Sequence, residues 1–99
     1  MDRIYTEKEQ EYCEKSNKMK YQHYAARFAA KEAIFKAISK LLNNKYEISW
    51  KNAEVLNDEN GKPYVNFINT NIIEKIEDID ISISHCKGYA IANVVLIEK

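Results

Sequence analysis

Between residues 24 and 42 the chain runs Tyr-Ala-Ala-Arg-Phe-Ala-Ala-Lys-Glu-Ala-Ile-Phe-Lys-Ala-Ile-Ser-Lys-Leu-Leu, with neither Gly nor Pro. At about 100° per residue, Ala26, Ala30, Ala33, Ile34, Ala37, Ile38 and Leu41 share one broad apolar arc. Tyr24, Phe28, Phe35 and Leu42 widen it. The pattern predicts a long, largely buried helix that ends at Asn43-Asn44. One narrow polar stripe remains: Glu32, Lys36, Ser39 and Lys40, with Ala25 and Ala29 between them. Glu32 and Lys36 stand four apart and stack on one face. Such a stripe is either a solvated edge with a weak ion pair or a carboxylate and an ammonium set to handle a metal and a phosphate. In the second case, the two alanines let a ligand approach the backbone.

Upstream, Thr6-Glu7-Lys8-Glu9 matches a capping box and predicts a short helix from about 7 to 15. Its only large apolar residue is Tyr12, so a peripheral position is expected. Residues 14–22 are polar and read as a loop. Downstream, Ile48, Trp50 and Val55 mark a strand over 46–56, interrupted near Lys51-Asn52. Asn57 through Pro63 is the densest cluster of turn residues, and Tyr64–Ile68 reads as a second strand, giving a hairpin over 53–68. Residues 69–77 suit a short helix. Ile79, Ile81 and Ile83 alternate with Asp80, Ser82 and Ser84, a half-buried strand with His85 at its end. Lys87-Gly88 turns the chain into Tyr89–Ile97, which is apolar on both parities and predicts a strand covered on both faces. The fold class is α+β: one long helix on a small, mainly antiparallel sheet of three or four strands, in a single domain spanning 1–99.

Composition narrows the function classes. No run of 18 apolar residues suggests a membrane span, and the first residues lack an apolar signal region. Cys13 and Cys86 have no CxxC spacing, which fits a reduced cytoplasmic protein. Net charge is zero but uneven. Residues 1–45 carry ten Lys or Arg against six Asp or Glu, +4, and residues 46–99 carry five against nine, −4. This asymmetry suits an acidic partner for the first half but is too small for a nucleic-acid footprint. With only Gly61 and Gly88, no glycine-rich phosphate loop exists, and HExxH and GxSxG are absent. Ser84 and His85 are adjacent, hence on opposite faces of a strand, which argues against a Ser-His dyad.

Four stretches then resemble one family in order. Phe28-Ala29-Ala30-Lys31-Glu32-Ala33-Ile34-Phe35-Lys36 resembles the F-x-x-K-E-[AS]-x-x-K signature of 4′-phosphopantetheinyl transferases, most closely the small holo-acyl-carrier-protein synthase group. Arg3-Ile4-Tyr5-Thr6 with Glu9 resembles that group's R-I-F-T-x-x-E. Ile48-Ser49-Trp50 through Glu54-Val55, Asn57 and Gly61-Lys62-Pro63 resembles its strand, turn and G-K-P. Ile83-Ser84-His85 with Tyr89-Ala90-Ile91-Ala92 resembles its terminal S-L-S-H and Y-A-x-A hairpin.

The resemblance implies transfer of the 4′-phosphopantetheine arm of coenzyme A to a serine of an apo acyl carrier protein, with Mg²⁺ neutralising the pyrophosphate. Glu32 is then the Mg²⁺ ligand or activates the acceptor hydroxyl through metal-bound water, and Lys36 serves the departing phosphate. Arg27 holds a coenzyme phosphate or, at the edge of the apolar arc, only snorkels. Lys62 and Pro63 border the adenine or decorate a turn. His85 reaches a coenzyme phosphate, in this family from a neighbouring subunit of a homotrimer. Lys31 reads as a solvated charge or as a packing or positioning residue. The family opens with a strand whose Asp is a second Mg²⁺ ligand. This chain starts at the residues that follow that strand, and Leu41-Leu42-Asn43-Asn44 replaces the family's G-T-G. Glu54 and Asp80 are candidate stand-ins for the Asp. The alternative is a degenerate relative that binds coenzyme A or a carrier protein without turnover.

Overall fold

The computed structural model describes residues 3–15, 18–42, 48–86 (backbone only at 85 and 86) and 89–99. Helix α1 spans Glu7–Glu14, and its capping box forms as the sequence predicts. The Glu9 N–H donates to Thr6 Oγ1 at 3.3 Å, and the Thr6 N–H donates to Glu9 Oε1 at 2.8 Å. The helix is not peripheral: Glu9 and Cys13 are both fully buried. Cysteine packs as a small apolar residue, and Glu9 is held inside by a partner on the next helix.

Helix α2 spans Lys20–Ile38. It starts four residues before Tyr24, inside the stretch expected to be a loop, because Lys20 to His23 contain nothing that blocks a helix. It buries Ala26, Ala30, Ile34 and Ile38 as the arc requires. A single 3₁₀ turn, Ser39–Leu41, follows, and Leu42 is already extended. Asn43-Asn44, the expected stop, lies outside the described residues.

Strands β1 (Ala53–Asn57) and β2 (Pro63–Phe67) form the expected antiparallel hairpin, with Val55 opposite Val65. Of the strand expected over 46–56, residues 46 and 47 lie outside the described residues, and the described part begins only at Ala53, because Trp50–Asn52 form a 3₁₀ turn. Asn52 Oδ1 accepts from the Ser49 N–H at 2.7 Å, a local bond that competes with strand pairing. In the hairpin loop, Asp58 Oδ1 accepts from the N–H groups of Asn60 and Lys62, each at 2.9 Å. Gly61 sits at φ +83°, where a side chain would be strained.

The 69–77 helix shrinks to a 3₁₀ turn at Ile72–Lys75, and β3 (Ile76–Cys86) begins directly after it. β3 pairs antiparallel with β4 (Tyr89–Glu98), Ile81 opposite Val94 and His85 opposite Ala90. The four strands form two two-stranded sheets instead of one. Helix α2 lies across β4, and Ile34 and Ile38 meet Val55, Ile72, Ile76 and Ile81 in the core. Ala92, Val94 and Leu96 pack against this core. The opposite parity does not: Tyr89, Ile91, Val95 and Ile97 are 61%, 43%, 63% and 47% exposed. The chain therefore covers one face of β4 and leaves the other, apolar but for Asn93, open.

Candidate functional site

Lys31 and Glu9 settle how the signature helix is seated. Both are fully buried, with Lys31 Nζ 2.7 Å from Glu9 Oε1. The second carboxylate oxygen accepts from the Val55 N–H at 2.7 Å. One carboxylate thus joins α1, α2 and β1, and Lys31 is a packing residue, not a solvated charge. Burial pulls the Lys31 ammonium below the usual lysine range, against the opposing pull of Glu9. The neighbouring Glu54 is also buried; it accepts from Thr6 Oγ1 at 2.5 Å and from Asn66 Nδ2 at 3.4 Å. With both oxygens engaged internally, Glu54 is a poor stand-in metal ligand. Asp80 pairs instead with Lys62, at 3.4 Å.

Seating Lys31 inward turns Glu32 and Lys36 outward. Both are exposed, and neither side chain makes a hydrogen bond or ion pair among the described residues. The expected i,i+4 pair does not close. A carboxylate and an ammonium stand uncommitted on the same side of α2, beside exposed Ala25 and half-buried Ala29.

Arg27 does more than snorkel. It is 3% exposed, and its guanidinium lies over the Tyr12 ring, 4.3 Å from the centroid. One terminal nitrogen donates to Asn57 Oδ1, while Asn57 Nδ2 donates to the Gly61 carbonyl at 2.9 Å. Arg27 is thereby tied to the Gly61-Lys62-Pro63 turn through a single amide. Yet Nε is buried without a partner, and Arg27 makes no ion pair among the described residues. Burial draws its pKa below the ordinary arginine value. Arg27 lines a cavity of about 230 Å³ with Tyr12, His23, Ala26, Asn57, Gly61, Pro63 and Ile83. Among the described residues no carboxylate lines it.

Of the predicted coenzyme residues, Arg27 and Pro63 meet at this cavity. Lys62 and Pro63 border a wider cleft of about 640 Å³ on the β3 side. Glu32 and Lys36 reach neither cavity. Arg27 and Glu32 are five residues apart, which is about 140° around the helix axis. The side chain of His85 lies outside the described residues. A further hollow of about 480 Å³, beside Asn69–Lys75, touches none of these groups.

The same arrangement of elements occurs in known proteins. A profile of the 4′-phosphopantetheinyl transferase superfamily matches residues 1–94. A holo-[acyl-carrier-protein] synthase of Protochlamydia amoebophila is 44% identical over 97 residues, covering 96% of this chain and 76% of the relative. The chain belongs to the 4′-phosphopantetheinyl transferase superfamily. Among solved structures, an ACPS–CoA complex from Chronobacterium ammoniagenes superposes with a TM-score of 0.81 at 26% identity, covering 98% of this chain and 80% of that one. A Bacillus anthracis holo-(acyl-carrier-protein) synthase in complex with CoA (3′,5′-ADP) gives 0.75 at 37% identity, covering 99% and 78%. The long helix with small antiparallel sheets is thus the transferase fold.

Within that fold, the donor set tests what a metal would find. Among the described residues no three His, Cys, Asp or Glu side chains cluster to hold an ion. Glu32, exposed and uncommitted, fits as one hard-oxygen ligand but does not enclose a cation. The cavity residues that sequence reasoning missed are Tyr12 and His23. Their signal was faint: His23 stands one helical turn before Arg27, so the two share a face.

Proposed function

We propose that the protein transfers the 4′-phosphopantetheine arm of coenzyme A to a serine hydroxyl of an apo acyl carrier protein, as a holo-acyl-carrier-protein synthase. The observation that carries this reading is Arg27, a buried cation with no carboxylate partner, on a cavity walled by the Gly61–Pro63 turn. A buried charge left unpaired is costly, and an anionic ligand offsets that cost. Family membership and relatives solved with coenzyme A support a coenzyme phosphate as that anion.

In the reaction, the serine oxygen bonds to the phosphorus that carries the pantetheine arm. The phosphoanhydride P–O bond breaks, 3′,5′-ADP leaves, and the serine proton passes to solvent or a base. Lys36 places positive charge where the leaving phosphate gains negative charge. Arg27 holds the nucleotide end, with Lys62 and Pro63 beside it, and His85 is assigned a second phosphate contact. Glu32 would hold Mg²⁺, which would supply the positive charge that neutralises the pyrophosphate. Because Arg27 and Glu32 face different sides of α2, one chain does not enclose the site. The open apolar face of β4 supports a homotrimer with sites between subunits.

The test is incubation with Mg²⁺, coenzyme A and several apo carrier proteins. Mass spectrometry should show one phosphopantetheine added to a carrier serine. Folded protein that modifies none of them would refute the activity. A second reading, binding without turnover, is favoured by the lack of any cluster of metal-ligating side chains around Glu32 among the described residues. Calorimetry separates the two: tight coenzyme A binding that ignores Mg²⁺, without transfer, selects the second.

A further inference from the structure

His23 lines the same cavity as Arg27, one turn earlier on α2. Its Nδ1 is buried with no hydrogen-bond partner. Its ring packs on Tyr12, centroids 5.0 Å apart, the ring that also carries the Arg27 guanidinium. Tyr12 is therefore a shared platform that fixes both groups side by side. The two unpartnered buried polar atoms among the described residues, His23 Nδ1 and Arg27 Nε, both belong to residues of this one cavity. Buried nitrogens without partners are uncommon and cost stability unless something occupies the space. Among the described residues no acidic side chain lines the wall, which favours an acceptor carried by a ligand.

We propose that His23 is a second phosphate-binding residue, donating from its imidazole to the anionic group that Arg27 holds. This rests on the coenzyme reading above and adds to it a contact specific to the phosphorylated nucleotide end. His23 thus helps distinguish coenzyme A from analogues that lack the 3′-phosphate.

The experiment compares the parent with His23→Phe, which keeps a ring against Tyr12 but no N–H, and His23→Asn, which keeps a short donor. Steady-state transfer is measured with coenzyme A and with 3′-dephospho-coenzyme A, and Trp50 fluorescence confirms folding. His23→Phe should raise KM for coenzyme A about tenfold, the worth of one hydrogen bond to a charged group, with kcat held. His23→Asn should recover most of that loss. With the dephospho analogue, parent and His23→Phe should have equal KM. A coenzyme A KM within twofold of the parent for His23→Phe, equal impairment of both variants, or an effect on kcat alone would overturn the assignment. If the folded parent itself does not bind coenzyme A by calorimetry, the coenzyme reading fails first and takes this one with it.

Discussion

Lys31→Met removes the ammonium from a fully buried pair and leaves the Glu9 carboxylate inside with only two backbone donors, Thr6 N–H and Val55 N–H. Methionine fills the stem volume, so the cost comes from the stranded charge rather than a cavity. Breaking a buried pair from one side costs about 3–5 kcal/mol. That is a large share of the 5–15 kcal/mol or so that holds a small domain together. With a urea m-value of about 1.5 kcal/mol/M, the midpoint should fall by roughly 2–3 M. Trp50, the only tryptophan, reports unfolding well, because it stacks on Phe28 and meets Phe35 edge-on. Adding Glu9→Gln removes the stranded charge and keeps an acceptor for one backbone N–H. The double variant should therefore be more stable than Lys31→Met alone, by about 1–2 kcal/mol. A loss below 1 kcal/mol for Lys31→Met, or a double variant less stable than the single, would refute the idea that this pair seats the signature helix.

Three further outcomes are expected. Glu32→Gln should cut transfer by about a hundredfold or more at unchanged unfolding midpoint, since the side chain is exposed and holds nothing in place; a large fall in midpoint would make Glu32 structural. Burial pushes the Cys13 thiol from 9.0 up to about 11, so the unfolded thiol ionises first as pH rises. Its contribution is whole below pH 9 and is lost by about pH 11; Cys13→Ala should remove from the urea-derived unfolding free energy a pH dependence over that window of about 2–3 kcal/mol at most. Val95→Lys places a charge on the open face of β4, and sedimentation should show the parent as a trimer and the variant shifted toward monomer; a monomeric parent would remove the reason for invoking a partner there.

Local patterns carried much of the fold. The arc from Ala26 to Ile38, the Thr6–Glu9 capping box, the Asn57–Pro63 turn and the alternating isoleucines of β3 each record a contact made within a few residues, and each forms. The misses involve partners far apart in the chain. Periodicity sets Lys31 at the border of the buried arc, where a lysine ordinarily reaches water. Only Glu9, 22 residues earlier, makes its burial tolerable. The same carboxylate draws α1 into the body of the protein, although Tyr12 alone suggested a peripheral helix.

The apolar second face of β4 shows the reverse relation between pattern and structure. Sequence placed Tyr89, Ile91, Val95 and Ile97 under cover, and one chain leaves them exposed. Exposed singly, such residues would mean little, but four of the five positions on one parity of a single strand are apolar, a strip interrupted only by Asn93. Glu32 and Lys36 are likewise turned away from the Arg27 cavity while remaining uncommitted. Two unfinished surfaces on one small chain are most economically explained by one event, a second copy that covers the strip and brings its own nucleotide cavity toward the outward carboxylate. On that account assembly and catalysis are coupled, and Val95→Lys, on the exposed face of β4, should lose transfer in proportion to its loss of oligomer. Transfer that persists in a monomeric Val95→Lys protein would separate the two and return the whole site to a single chain.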